Sequence, residues 1–187
     1  MTLIRSISGI RGTIGGKAGE GFTPADMVKY ASAFGEWIRK MTKGATPVVV
    51  LGRDARISGK MAEQIVSGTL AGMGINIINL GFATTPTVEI AVQHFKANGG
   101  IILTASHNPR QWNALKLLNE SGEFLSAEDG EEILKIAENA DYYYASVDKL
   151  GQISMNHEMN DIHISQILKL PLVDIPAISK RRFKVAI

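Results

Sequence analysis

The sequence predicts an α/β fold, a three-layer α/β/α sandwich around a mixed, mostly parallel sheet. Three observations predict it. Short apolar runs alternate with amphipathic stretches at intervals of about 25 residues, the spacing of strand–helix units. The run "PVVVLG" is short and apolar, as buried strands are, and "INIINLG" and "IIL" read as further strands. Each is followed by a polar cluster: "GRDARISG", "GFATTPT" and "TASHNP". If these strands are parallel, all three clusters reach one edge of the sheet. That edge lies beyond the carboxyl ends of the strands, where open α/β sheets bind ligands.

The elements follow in order. Glycines crowd residues 1–22, at Gly9, Gly12, Gly15, Gly16, Gly19 and Gly21, and predict a short strand followed by a loop or hairpin. Thr23-Pro24 opens a helix, with threonine as N-cap and proline at the first helical position. Met27, Ala31, Phe34, Ile38 and Met41 give that helix one buried face. A buried strand is predicted over 47–54. Ser58 is placed as the cap of the next helix, with Met61, Ile65 and Leu70 inward and Gly72 and Gly74 near its end. A strand over 75–81 leads to a helix over 86–100, with Val88, Ala91, Val92 and Phe95 inward. Further strands are predicted over 101–106 and 114–119. Ser126 caps a helix over 127–140, with acidic residues in the first turn, where the helix dipole favours negative charge.

Residues 152–187 read differently. They hold a short helical pattern at 160–170, then Pro171 and Pro176, then "KRRFKVAI", which resembles the first half of a buried strand with nothing after it. The expected organisation is one domain over 1–150, then a linker and the start of a second domain over 151–187, in a chain cut from a longer one.

Composition narrows the function. A chain of 187 residues suffices for one ordinary domain and the start of another. Apolar residues make up 45% and charged residues 20%, the proportions of a soluble globular protein. The net charge is +2 and no basic cluster is longer than Lys180-Arg181-Arg182, which argues against a nucleic-acid surface. No run of about 18 apolar residues exists, so no membrane span is expected. The absence of cysteine excludes a disulfide framework, thiolate metal sites and cysteine catalysis, and it fits a reducing cytoplasm. The start, "MTLIRSISGIRG", lacks the profile of a signal peptide.

The stretch "TASHNPRQWNALK", residues 104–116, carries the chemistry. Ser106 lies in a sharp turn after a strand, but the glycine-flanked elbow of a serine hydrolase is absent. His107 is its neighbour in sequence, and adjacent loop side chains seldom pair well enough to activate a nucleophile. A phosphate on Ser106 gives the surroundings a purpose. It would carry about −1.5 to −2 charges and need cations or amides around it. Arg11 in "GIRG", Arg53 and Arg56 at a neighbouring strand end, and Lys116 on a returning strand can supply them. Arginine suits bidentate contacts to phosphate, and lysine can move a proton. Together, on one edge of a parallel sheet, these residues read as a phosphoryl site.

The same stretch resembles the phosphoserine loop of the α-D-phosphohexomutases, whose pattern is T-A/G-S-H-N-P, three residues, N-G, one residue, K. "SGIRG" is similar to that family's N-terminal arginine loop and "GRDARISG" to its second loop. The similarity runs over about the first 140 residues, the extent of the family's first domain. The resemblance implies a chain of four domains around a deep cleft. In it, Ser106 carries a phosphate that passes to a sugar 1- or 6-phosphate through a bisphosphate. It also implies Mg²⁺ on an oxygen of the phosphoserine, with Ser106 the only metal-linked residue here. Lys116 would be the general base and Arg11 its support. His107 would lie against the transferring groups and Asn108 would hold the loop, while Arg53 and Asp54 brace the site from behind. Positioning and charge neutralisation supply most of the catalysis in such transfers.

The sequence departs from the pattern at Asn113-Ala114, where the family has Asn-Gly. An ordinary turn is expected there, since alanine at positive φ would cost about 1 kcal/mol. The family's aspartate-rich metal loop is absent from these residues, as are its sugar-recognition loop and phosphate clamp. The expectation is an N-terminal domain that needs the missing C-terminal domains as partners and is inactive alone. Its substrate would be a hexose or hexosamine phosphate. The loops look most like the phosphoglucosamine mutase branch, with phosphomannomutase and phosphoglucomutase as alternatives. A non-catalytic phosphate-binding α/β module is the rival from another class. A dinucleotide fold is disfavoured because no G-x-G-x-x-G joins a strand to a helix.

Overall fold

Seven strands form one sheet in the computed structural model, which describes residues 1–6, 9–42 and 44–186. They are β1 (Leu3–Ser6), β2 (Gly9–Thr13), β3 (Val48–Arg53), β4 (Asn76–Phe82), β5 (Gly99–Leu103), β6 (Trp112–Leu118) and β7 (Ile153–Met155), in the order β1-β2-β6-β5-β3-β4-β7. Strands β5, β3, β4 and β7 pair in parallel. The β1–β2, β2–β6 and β5–β6 pairings are antiparallel. Five strands therefore point one way and only β1 and β6 reverse, the mixed, mostly parallel sheet the sequence predicts. The N-terminal glycine-rich segment forms the β1–β2 hairpin. Its connection, Ile7 and Ser8, lies outside the described residues, so the first part of the "SGIRG" loop does too.

Helices α1 (Pro24–Met41), α2 (Gly59–Gly72) and α4 (Ala127–Asn139) cover one face, where Phe34, Ile38, Val66, Leu70 and Ile133 pack on Val49, Leu51, Ile101 and Leu115. Helix α3 (Thr85–His94) covers the other face, with Val88, Ala91 and Val92 on Val50, Ile102 and Leu118. Helix α5 (Met159–Leu168) adds Met159 to that second core, and α6 (Ile175–Arg181) follows it. The three layers are thus observed.

Local signals explain most helix starts. Thr23 and Asp26 form a capping box before α1, and Ser126 and Asp129 form another before α4. Met27, Ala31, Phe34 and Ile38 are buried as expected, but Met41, in the last turn, is 59% exposed. Ser58 stands at the N-cap of α2 without capping it through its side chain. Its backbone is helical there (φ −76°, ψ −6°), so the hydroxyl cannot turn back to the first amides and instead accepts from Asn113 Nδ2 at 2.9 Å.

Three expectations are corrected. Asn113-Ala114 is not a turn: both residues lie in β6, opposite Gly12 and Arg11, and Ala114 costs no backbone strain because it is extended. The helix over 86–100 stops at His94, and Gly99 and Gly100 begin β5 instead. Residues 183–186 form no strand, since no neighbouring strand is there to pair with them. Ile187 lies outside the described residues. The segment expected as linker also contributes β7, which pairs with β4 at Ile77–Asn79.

Candidate functional site

The loops after β3 and β5 lie side by side because those strands are parallel neighbours. Chain leaves β3 towards α2 on one face, whereas it leaves β5 into the antiparallel β6. The crevice between such diverging connections is the natural ligand site of an open sheet. Ser106 sits at its mouth, exposed, with φ +53°. A serine in the left-handed region is uncommon and persists only where surroundings hold it.

Those surroundings are specific. The Ser106 amide donates to Thr104 Oγ1 at 3.0 Å, and the Thr104 hydroxyl donates to Asp54 Oδ2 at 2.6 Å. Asp54 Oδ1 accepts from the Arg56 amide at 3.0 Å. The Arg56 guanidinium then reaches across the loop. Nε donates to Asp54 Oδ2 at 3.1 Å. Nη1 donates to the carbonyls of Pro109 (2.9 Å) and Trp112 (3.1 Å), and Nη2 to those of Ser106 and Asn108 (both 2.8 Å). Five acceptors meet the five N–H groups an arginine owns, so none is left for a phosphate. Arg56 is loop support. Asn108 closes the turn, donating from Nδ2 to the Ala105 carbonyl at 2.9 Å.

A pocket of about 280 Å³ opens in front of this loop and gathers Ser106, His107, Asn108, Arg11 and Lys116. Arg11 comes from β2, opposite Ala114 of β6. Lys116 comes from β6, opposite Ile102 of β5. Ser106 Oγ and His107 Nδ1 are 3.4 Å apart, a long contact, and no hydrogen bond among the described residues joins His107 to a carboxylate. That geometry does not support a Ser–His nucleophile. The site holds cations around an exposed hydroxyl, which suits a phosphorylated serine.

Four expected residues stand behind the pocket rather than in it. Asp54 and Arg56 act on the loop as described. Asn113 is fully buried; its Nδ2 holds Ser58, and its Oδ1 accepts from the Ala114 amide at 2.8 Å. Arg53 donates through Nε to Glu63 and through Nη1 to the Asp54 carbonyl at 3.1 Å, and its guanidinium lies 4.2 Å from the Phe82 ring centroid. Glu63 is only 4% exposed. Burial pushes its carboxyl up, but hydrogen bonds from Lys60, Arg53 and Asn79 outweigh burial and hold it below the usual glutamate value.

Sequence reasoning missed three residues of the site. Thr104 stood in the quoted motif without a role, yet it sets the Ser106 backbone. Phe124 lines the pocket, with Lys116 Nζ 5.5 Å from its ring centroid. Gly9 lines it too: its φ is +121°, and a Cβ there would fall 2.1 Å from the Leu115 carbonyl oxygen. The crowding of glycines hinted at Gly9; nothing local marked Phe124.

No carboxylate lines the pocket, and among the described residues no group of three or more His, Cys, Asp or Glu side chains could hold a metal. Mg²⁺ takes several oxygen ligands in octahedral geometry, and these residues do not assemble them. No helix among the described residues is long and apolar enough to cross a membrane.

The family model described as phosphoglucomutase/phosphomannomutase, alpha/beta/alpha domain I, matches residues 3–144. A phosphoglucomutase/phosphomannomutase of Thermococcus kodakarensis is 35% identical over 173 residues, covering 91% of this chain and 37% of that protein. A phosphoglucosamine/phosphogalactosamine mutase of Sulfurisphaera tokodaii is 30% identical over 183 residues, covering 96% of this chain and 37% of that protein. A solved phosphoglucomutase/phosphomannomutase family protein from Burkholderia thailandensis has the same fold. Its TM-score is 0.71 at 21% identity, over 89% of this chain and 36% of that one. The chain spans 37% of the length of these two curated relatives.

Proposed function

Because the chain belongs to the phosphoglucomutase/phosphomannomutase family, we propose that it is the serine-bearing domain of a sugar-phosphate mutase. The observation that carries this is the pocket itself, which draws Ser106 and His107 from one loop and Arg11 and Lys116 from two paired strands. In this reading Ser106 carries the phosphate. A sugar hydroxyl attacks its phosphorus, a new P–O bond forms to the sugar, and the bond to Ser106 Oγ breaks. Lys116, as its neutral amine, takes the proton of the attacking hydroxyl, and the ammonium so formed returns a proton to the departing Oγ in the same pocket, so the half-step balances. Arg11 and His107 face the charge that spreads over the phosphoryl oxygens. The second half-step returns the other phosphate of the bisphosphate to Ser106.

The substrate proposed is a hexosamine phosphate, glucosamine phosphate first, with mannose and glucose phosphates as alternatives. The loops "SGIRGTIGG" and "GRDARISG" support this order, as do relatives named for phosphoglucosamine. Mg²⁺ would find one phosphoserine oxygen here, so its remaining ligands and the rest of the cleft come from beyond residues 1–187. Residues after 150 lead towards those domains, and the 187 residues alone should not turn over substrate. A cytoplasmic setting fits a sugar-phosphate substrate and a chain without cysteine.

The test is turnover and binding by the full-length protein carrying Lys116→Ala or Ser106→Ala, assayed with the three sugar phosphates. Turnover should fall by orders of magnitude in both while Lys116→Ala still binds substrate. Unchanged turnover would overturn the reading. Loss of affinity without any parent turnover would mark a phosphate-binding module.

A further inference from the structure

The sheet has a second crevice beside the serine site. Strands β3 and β4 are parallel neighbours. Their connections part to opposite faces: α2 packs Val66 and Leu70 on one side, and α3 packs Val88 and Val92 on the other. Open sheets bind ligands where adjacent connections diverge in this way. A cavity of about 560 Å³ lies there, at the carboxyl ends of the strands, within the size range of small-molecule sites. Ile102 is part of its wall, and Thr104 lines both this cavity and the Ser106 pocket.

The lining is balanced in charge and in hydrogen-bonding sense. Among the described residues Arg53 and Asp54 are its charged members, one of each sign. Arg53 uses Nε on Glu63 and Nη1 on the Asp54 carbonyl, which leaves the two N–H groups of Nη2 without an acceptor among the described residues. Asp54 Oδ1 accepts from the Arg56 amide and keeps a further lone pair. Asn160 donates once, from Nδ2 to the Phe82 carbonyl at 3.0 Å, and its Oδ1 is unused. The Thr85 hydroxyl, donor and acceptor in one group, has no partner among the described residues. Unused donors and acceptors thus stand side by side, which suits hydroxyls, since each both gives and accepts. An ionic head group of either sign would meet a like charge. Phe82, 59% exposed with the Arg53 guanidinium over it at 4.2 Å, adds an aromatic face of the kind on which the C–H groups of a sugar ring pack.

We propose that this cavity binds an uncharged sugar ring, separate from the sugar phosphate at Ser106, and that the bound sugar steadies the serine loop. Asp54 and Thr104 make the link. Both line the cavity; the Thr104 hydroxyl donates to Asp54 Oδ2 at 2.6 Å, and its oxygen accepts from the Ser106 amide at 3.0 Å. A sugar hydroxyl on Asp54 Oδ1 adds a bond to a carboxylate that already orders the loop. Opening of the loop then also requires release of the sugar, so ligand and loop stabilise each other. The inference goes beyond the mutase reading and does not depend on turnover.

The experiment is binding of glucose to the full-length protein by equilibrium dialysis, with hydrogen exchange at the Ser106 amide as the second readout. The parent should bind glucose with a millimolar dissociation constant, and exchange at Ser106 should slow at saturation. Thr85→Val keeps the shape and removes the hydroxyl; Phe82→Leu removes the ring. Each should weaken binding about fivefold or more and lose the added protection at the same glucose concentration. Excess inorganic phosphate, the probe for the Ser106 pocket, should not displace glucose. If Phe82→Leu unfolds early in a thermal melt, Phe82→Met takes its place. No glucose binding by the parent, binding unchanged in both variants, displacement by phosphate, or bound glucose with unaltered Ser106 exchange would each overturn the proposal. Absence of sugar-phosphate turnover in the parent would instead defeat the mutase reading and leave this one standing, a distinct result.

Discussion

Arg56 Nη2 lies 2.8 Å from the carbonyl oxygen of Ser106, so a residue of the β3 loop grips the backbone of the serine while its hydroxyl stays free. The same guanidinium also binds Asn108, Pro109 and Trp112. The grip spans both sides of the turn. With Thr104 holding the Ser106 amide, it explains how a serine remains at φ +53°.

Arg56→Lys should therefore damage the loop rather than phosphate affinity. Lysine offers three donors from one nitrogen and cannot span four carbonyls. We expect a stability loss of about 2 kcal/mol in urea unfolding. Turnover of the full-length protein should drop about tenfold or more, with substrate binding changed only a few-fold. An unchanged unfolding midpoint together with lost phosphate affinity would show the guanidinium to be a phosphate ligand instead.

Glycine relieves the strain that serine carries. Ser106→Gly should leave thermal stability unchanged or raise it by up to about 1 kcal/mol, the left-handed cost being offset by glycine's entropy. Ser106→Val, β-branched at the same φ, should lose about 1–2 kcal/mol. Equal melting temperatures for the two variants would mean that Ser106 is not held at positive φ in solution.

Gly9 is constrained twice, by φ +121° and by the Leu115 carbonyl oxygen, 2.1 Å from any Cβ. Gly9→Ala should cost about 2 kcal/mol or more and loosen β2 against β6. Hydrogen exchange at the β2 amides would report it, and protection equal to the parent's would contradict it.

Glu63 predicts a pH dependence. Its carboxyl sits below the ordinary 4.5 in the folded state, so the unfolded chain binds the proton more tightly. The stabilisation is complete above that value and is lost as pH falls through the folded-state value. Urea midpoints of the parent should fall on acidification below about pH 4.5, and those of Glu63→Gln should fall less steeply. Parallel curves would remove Glu63 from the acid response.

The sequence spoke most clearly where local rules dominate. Thr23-Pro24 and Ser126 marked helix starts because capping is decided within four residues. Val49–Leu51 and Ile101–Leu103 read as strands because both faces are covered. Ser106, His107, Arg11 and Lys116 were recognisable by type and order. What could not be read were roles fixed by long-range partners. Arg56 looked like a cation for phosphate, and only the fold shows its donors spent on four carbonyls. Ser58 looked like a cap, and Asn113 claims its hydroxyl. Strand β7 has three residues and owes its existence to the edge that β4 offers. Phe124 becomes meaningful only once a turn folds it back over β6.

The pairing of Ile10 with Leu115 has a consequence for how the protein is made. Strand β2 emerges early from the ribosome, but its inner neighbour is more than a hundred residues downstream. Until β6 is synthesised, the N-terminal hairpin has one partner and an open edge, and Arg11 has no pocket wall to face. Closing so long a loop is slow. Assembly of the site should be among the last events in the domain's folding, and a nascent chain arrested before residue 112 would carry Ser106 with no site around it.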